Sequence, residues 1–171
     1  RSMETRFEFG KNWKSYSELI DDERLENAIS QLRRLLGTDS LKGKSFIDIG
    51  CGSGLHSLAA AKMGADKILA IDIDPFSVST TKKIFKAFFP SFDIKVIELD
   101  VFSLNPDIHG KYDYVYSWGV LHHTGNMIGA INKAKTLCKE NGTIALGLYG
   151  KTRHCDRWKK IKKWYVNAPQ E

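Results

Sequence analysis

The sequence predicts an α/β fold, a mostly parallel sheet of at least five strands with helices on both faces. Three observations carry this. Apolar, strand-length runs alternate with helix-spaced segments from residue 44 to residue 150, the signature of right-handed βαβ units. A glycine-rich turn follows the first run, and an acid ends the second. The 171 residues, 42% hydrophobic and 27% charged, suit a single globular domain. That composition excludes a disordered or collagen-like chain.

The elements follow in order. Asp21 or Asp22 can cap a helix whose Leu25, Ala28, Ile29, Leu32, Leu35 and Leu36 repeat at helical spacing, closed by Gly37. Ahead of it Phe7, Phe9, Trp13 and Tyr16 form an aromatic cluster too dense for a solvated tail. A short apolar run over 45–49 ends in glycines, and Leu55, Leu58, Ala59 and Met63 then keep helical spacing. The run over 67–71 leads to a helix over 76–89 that Pro90 stops, and Asp74 before Pro75 reads as that helix's cap. Residues 94–99 alternate, and 112–117 are apolar and aromatic. Helical spacing over 126–139 (Met127, Ala130, Ile131, Ala134, Leu137, Cys138) closes just before Gly142, and 143–149 reads as a fifth strand. The chain thus divides into a helical and aromatic prefix over 3–40, a core over 41–150 and a tail over 151–171.

Charge sharpens this division. The net charge is +6 and the sequence pI about 9.2, yet residues 151–171 hold seven basic residues against two acids. The body is nearly neutral, so pI alone is weak support for nucleic-acid binding. Cys51, Cys138 and Cys155 are too few and too scattered for a disulfide framework or a zinc site, and read as small packing residues in a reduced, cytoplasmic protein. No stretch approaches the ~20 apolar residues of a membrane span, and no signal-peptide pattern stands at the start.

The most informative residues are Asp48-Ile49-Gly50-Cys51-Gly52-Ser53-Gly54. Glycines after a first strand let the backbone turn sharply and approach a ligand, with the next helix's free N–H groups facing any anion there. A tight turn needs glycine anyway, so the loop alone is weak. Asp72 strengthens it: lying 22 residues after Gly50, it can accept both hydroxyls of a ribose. The spacing is GxGxG rather than GxGxxG, with Asp48 two residues ahead. A carboxylate beside the loop suits a ligand with an ammonium group better than a pyrophosphate, and S-adenosylmethionine carries an ammonium, a carboxylate, a ribose and an adenine.

The segment from Phe46 to Gly54 resembles the first motif of the class I, Rossmann-like S-adenosylmethionine-dependent methyltransferases, and the likeness runs from about residue 44 to 150. It implies their three-layer fold, with NAD(P) binding the lesser alternative. Under the resemblance Asp48 holds the loop near the cofactor's ammonium. Gly50, Cys51, Gly52 and Gly54 make room for its methionine part. Asp72 takes the ribose and Ile73 packs on the adenine. Asp100 accepts from the adenine amine, or is a plain strand-end turn acid, and the Val101 N–H donates to a ring nitrogen. Residues 112–119 match the fourth strand and its loop, bringing Ser117 and Trp118 to the site. Trp118 is a wall for cofactor or acceptor, or packs beneath the loop.

The loop over 117–126 lacks the Asn/Asp-Pro-Pro-Tyr pattern by which related enzymes hold an amine or amide nitrogen, and lacks the cysteines of pyrimidine C5 chemistry. It carries His122 and His123 instead: a neutral histidine can deprotonate a hydroxyl, or one of the pair points inward to cap a helix or fill the core. The pair resembles that of ubiquinone-biosynthesis-type methyltransferases, so a small-molecule acceptor, oxygen favoured, is expected, with no metal. Alternatives are an RNA methyltransferase using the basic tail, or a cofactor-binding fragment of a larger protein that does not catalyse. Trp13 and Tyr16 read as a lid over the cofactor or as the dock of the prefix helix. Trp158, Ile161 and Tyr165 give the tail a basic amphipathic helix. That helix lies on the sheet, binds nucleic acid or another anionic surface through 151–165, or opens a further region. Residues 167–171 are too short for the hairpin that completes the family's seven-stranded sheet. A dimer contact or a missing C-terminal region is therefore expected over the exposed edge.

Overall fold

The computed structural model describes residues 21–150. Trp13, Tyr16 and the tail over 151–171 lie outside the described residues. The described chain runs α1 (Asp22–Leu36), β1 (Ser45–Ile49), α2 (Leu55–Lys62), β2 (Lys67–Asp72), α3 (Pro75–Phe88), β3 (Lys95–Glu98), a 3-10 turn (Val101–Ser103), α4 (Pro106–His109), β4 (Tyr112–Trp118), a second 3-10 turn (Leu121–His123), α5 (Met127–Thr136) and β5 (Cys138–Gly147). The strands form one sheet in the order β3-β2-β1-β4-β5, and every adjacent pair is parallel. Central β1 is buried along its whole length, as a strand covered on both faces must be.

Alternate residues of the strands feed two cores. Phe46, Ile68 and Tyr116 join one with α1, α2 and α3. Ile47, Ile49, Leu69, Ile71 and Val115 join the other with Ala130 and Ala134 of α5 and with the 3-10 turns. This is the predicted three-layer arrangement. The caps are also as expected: Asp21 accepts from the Arg24 N–H at 2.9 Å, Gly37 closes α1 at φ 66°, and Asp74 accepts from the Phe76 N–H at 2.9 Å.

The expected helix over 126–139 is too long. α5 ends at Thr136, the Leu137 carbonyl accepts the Tyr112 N–H at 2.8 Å, and Cys138 already pairs with Tyr112 in the sheet. Tyr114 pairs with Thr143, so the ladder between carries an irregular insertion that holds Gly142. Gly142 is therefore not a helix stop. A Cβ there would lie 2.7 Å from the Cys138 sulfur and 2.9 Å from the Asp113 carbonyl oxygen. The strand also ends at Gly147 rather than at Tyr149. Asp113 fastens this end of the sheet, accepting from the Ser45 N–H at 2.8 Å, the Ser45 hydroxyl at 2.7 Å and Lys139 Nζ at 2.7 Å. Partial burial alone would raise its carboxyl, but Lys139 and Ser45 hold it well below the usual carboxylate range.

Among the described residues no helix is long and apolar enough to cross a membrane, and β3 and β5 are the sheet's edges.

Candidate active site

The strand order reverses direction between β1 and β4. Loops leaving the carboxyl ends of two such strands diverge and open a crevice, the usual ligand site of parallel α/β sheets. Here the loop over 50–54 leaves β1 and the loop over 119–126 leaves β4, so the two most distinctive stretches of sequence meet at one place.

The glycine loop is held from every side. Gly50, Gly52 and Gly54 take φ of 80°, 54° and 79°, the left-handed region that other residues enter only at a cost. The Gly50 and Cys51 N–H groups both donate to the Ile71 carbonyl, at 2.8 and 2.9 Å. The Gly52 N–H donates to Asp72 Oδ2 at 2.9 Å, and the Gly52 carbonyl accepts from Thr81 at 3.3 Å. Val120 lies on Gly50, where an added Cβ would sit 2.5 Å from its Cγ2. Thr81 crowds Gly54 in the same way at 2.6 Å. α2 starts on Gly54 with no side-chain cap, so its first N–H groups are available to an anion. Ser117, buried, donates its hydroxyl to the Ile49 carbonyl at 2.7 Å. That bond fixes the end of β1, so Ser117 supports the site from beneath instead of presenting its proton to a ligand.

Asp48 is buried beneath the loop and accepts from the Ser57 hydroxyl at 2.7 Å. Burial lifts its carboxyl to about 7, against the pull of Ser57 and with help from the Asp72 charge. It braces β1 against α2, and direct reach to a ligand's ammonium is not what this geometry offers. Cys51 is likewise inward, its sulfur 3.3 Å from the Thr81 hydroxyl oxygen. Burial and the Asp48 charge push the thiol up, so it is a packing group and not a nucleophile.

Asp72 faces the crevice. Its Oδ1 accepts from the Asp74 N–H at 2.9 Å while Oδ2 holds Gly52. Each oxygen keeps a lone pair, which suits a diol. Burial raises this carboxyl too, against those backbone bonds. Ile73 beside it is 48% exposed, an open apolar surface at the strand end. Asp100 Oδ1 accepts from the Phe102 N–H at 2.8 Å, capping the 3-10 turn that begins with buried Val101. Its second oxygen is not used in that cap. Glycine cradle, uncapped helix start, diol acceptor and apolar face together fit the parts of S-adenosylmethionine.

On the other side of the crevice Trp118 is 49% exposed. It lies near-parallel to Tyr116, centroids 6.3 Å apart, and rests on Gly147, where a Cβ would be 2.3 Å from the indole. The two histidines differ. His123 is exposed, whereas His122 is partly buried and both its ring nitrogens are buried without a hydrogen-bond partner. Desolvation and then the neighbouring His123 lower the His122 pKa, so it is neutral near pH 7. Their ring centroids lie 3.9 Å apart, and Tyr149 approaches His122 to 4.6 Å.

Ser57, Thr81, Val120 and Tyr149 take part without having been anticipated. Ser57 carried one sign, a hydroxyl directly ahead of the apolar run Leu58-Ala59-Ala60-Ala61. Thr81 and Val120 carried none, because their role is contact across the fold.

Comparison with known proteins places this arrangement. The chain matches the family described as Methyltransferase domain over residues 22–171. It is 30% identical over 104 residues to the ribosomal protein L11 methyltransferase of Thermosipho africanus, covering 61% of this chain and 37% of that one. To a candidate protein N5-glutamine methyltransferase of Methanocaldococcus jannaschii it is 36% identical over 93 residues, 54% of this chain and 43% of that one. The chain spans less than half the length of either relative. Magnesium protoporphyrin IX methyltransferase of Synechocystis, solved with S-adenosylhomocysteine bound, superposes with a TM-score of 0.65 at 25% identity, over 81% of this chain and 62% of that one. With the family match taking in nearly all of the described core, one assignment remains: the chain belongs to the methyltransferase-domain family and is of the class I, S-adenosylmethionine-dependent kind.

Proposed function

We propose that this chain transfers a methyl group to a hydroxyl oxygen of a small molecule. His122 carries the reading: a neutral imidazole with two unpartnered ring nitrogens, on the loop that borders the glycine cradle. S-adenosylmethionine, when bound, supplies a methyl carbon on a positively charged sulfur, open to in-line attack by an acceptor lone pair. The protein's part is to hold both partners and receive a proton. Asp72 holds the ribose and the Gly50–Gly54 backbone the methionine part, with Asp48 bracing the loop from below. Ile73, Asp100 and Val101 frame the adenine. Trp118 walls the acceptor side, where its indole face also attracts a cation. His122, or His123 beside it, takes the proton of the hydroxyl.

A protein nitrogen acceptor is the second reading, favoured by relatives named for ribosomal protein L11 and for protein glutamine methylation. The loop over 117–126 lacks the Asn/Asp-Pro-Pro-Tyr clamp for such a nitrogen, so oxygen stands first. One assay separates them. The chain is incubated with S-adenosylmethionine and panels of hydroxylated small molecules, ribosomal proteins or RNA, and S-adenosylhomocysteine is measured. Turnover with the hydroxyl panel, abolished when His122 and His123 are both replaced by Asn, is expected. Turnover with the protein panel alone would replace this reading with the second.

A further inference from the structure

His122 occupies an unusual position for a histidine at the open end of a sheet. Both ring nitrogens are buried and neither has a hydrogen-bond partner, a state native proteins rarely keep without a use. The groups over it are themselves rings. His123 lies at 3.9 Å and Tyr149 at 4.6 Å, tilted by 48° and 55°. These two are the titratable groups in ring contact with His122 among the described residues. Neither stacks flat on the imidazole.

Tyr149 is not held as a core residue would be. It stands two residues beyond the end of β5 and is 71% exposed. Besides its ring contacts with the two histidines, its hydroxyl reaches over Gly119, at φ 74°, where an added Cβ would lie 3.1 Å from that oxygen. Gly119 therefore leaves the space into which the phenol reaches, and at Gly150 an added Cβ would meet nothing within 4 Å. This exposed ring lies against His122, whose two nitrogens are shielded from water.

We propose that Tyr149 is a positioning residue of the acceptor site. Its ring closes over His122 until a ring-borne hydroxyl of the acceptor takes its place and pairs with a His122 nitrogen. The proposal rests on the oxygen reading above. As the acceptor oxygen gains the methyl carbon its O–H bond breaks, and the proton passes to that nitrogen. The imidazole then carries the positive charge that sulfur gives up in becoming a thioether, so charge balances. The aromatic surroundings of His122, with half-exposed Trp118 at the end of β4, favour a planar ring as the acceptor's body.

The test uses the full chain and two probes. Diethylpyrocarbonate, which attacks a neutral, accessible imidazole nitrogen, reads the cover by mass spectrometry. His122 is expected to react at least tenfold faster in Tyr149→Ala than in wild type, while Tyr149→Phe, which keeps the ring, stays protected. Phenol then reads the pairing. With S-adenosylhomocysteine bound, it is expected to shift the His122 side-chain nitrogen resonances, and toluene is not. Equal His122 reactivity in wild type and Tyr149→Ala would overturn the proposal, as would exposure in Tyr149→Phe or identical responses to phenol and toluene. Calorimetry on the same samples keeps the two readings apart. A wild-type chain that fails to bind S-adenosylhomocysteine defeats the methyltransferase reading, whereas intact binding with an unchanged His122 defeats this one alone.

Discussion

Replacing Gly50 by alanine tests how tightly the loop over β1 is built. The backbone there has φ 80°, where a Cβ costs roughly 1–2 kcal/mol. The new methyl would also lie 2.5, 2.6 and 2.9 Å from Cγ2, Cγ1 and Cβ of Val120. Val120 is β-branched and stiff, so it cannot rotate all three atoms away. Overpacking of this kind costs about 1–3 kcal/mol. The sum is roughly 2–5 kcal/mol, which for a chain of this size lowers the unfolding temperature on the order of 10 °C. Differential scanning calorimetry measures that loss. Titration with S-adenosylmethionine at a temperature where the variant is folded is expected to show affinity reduced at least tenfold, because the loop must move to admit the methyl. Adding Val120→Ala removes the two methyl contacts but keeps Cβ at 2.9 Å, so it should recover a part of the overpacking loss and leave the backbone part. A Gly50→Ala protein with unchanged stability and affinity would refute the reasoning. So would a double variant no better than the single one, since the crowding would then lie elsewhere.

Three further outcomes follow from the same contacts. Asp48 binds its proton more tightly folded, at about 7, than unfolded near 3.8. Its contribution is therefore complete below about pH 4 and is lost as pH rises through about 7. Asp48→Asn, which still accepts from Ser57, should gain on the ligand-free wild type as thermal unfolding is followed from pH 5 to pH 8. Asp113 has the opposite sign: its lowered carboxyl contributes above about pH 4 and loses that contribution as pH falls. Asp113→Ala leaves the Ser45 N–H and hydroxyl without their acceptor and should cost about 1–3 kcal/mol in urea unfolding at pH 7. Cofactor affinity should not change, because that carboxylate lies at the opposite end of the sheet from the crevice. Gly147→Ala should displace the Trp118 indole, raising the acceptor's KM and leaving cofactor affinity within twofold.

What the sequence disclosed follows from which interactions are local. The strand-to-helix turn at Gly50–Gly54, the Asp21 and Asp74 caps and the αL closure at Gly37 are set by neighbouring residues, and each was legible. So was the place of Asp72 at the end of the second strand, where its carboxylate meets the Gly52 N–H. The end of α5 was not. Leu137 and Cys138 fit the helical spacing after Ala134, and only the long-range pairing of Tyr112 with Cys138 and Leu137 decides for the sheet. The resemblance brings Ser117 to the site, but the bond of its hydroxyl to the Ile49 carbonyl, 68 residues away, is invisible to local pattern. The same holds for the histidines. Adjacent in sequence, they differ in burial, and Tyr149, from the end of another strand, reaches one more closely than the other. Packing across the fold separated what spacing could not.

Everything proposed for this chain turns on the glycine loop and Asp72 forming the S-adenosylmethionine site. Isothermal titration calorimetry of the chain against S-adenosylmethionine, wild type beside Asp72→Ala, addresses it most directly. Removing Asp72 takes away the diol acceptor and the anchor of the Gly52 N–H, charge-assisted bonds worth about 1.5–3 kcal/mol each. One-site binding by wild type, weakened at least tenfold in a variant with unchanged circular dichroism, is the predicted result. A folded wild-type chain that takes up no cofactor, or a variant that binds it equally well, would contradict the account.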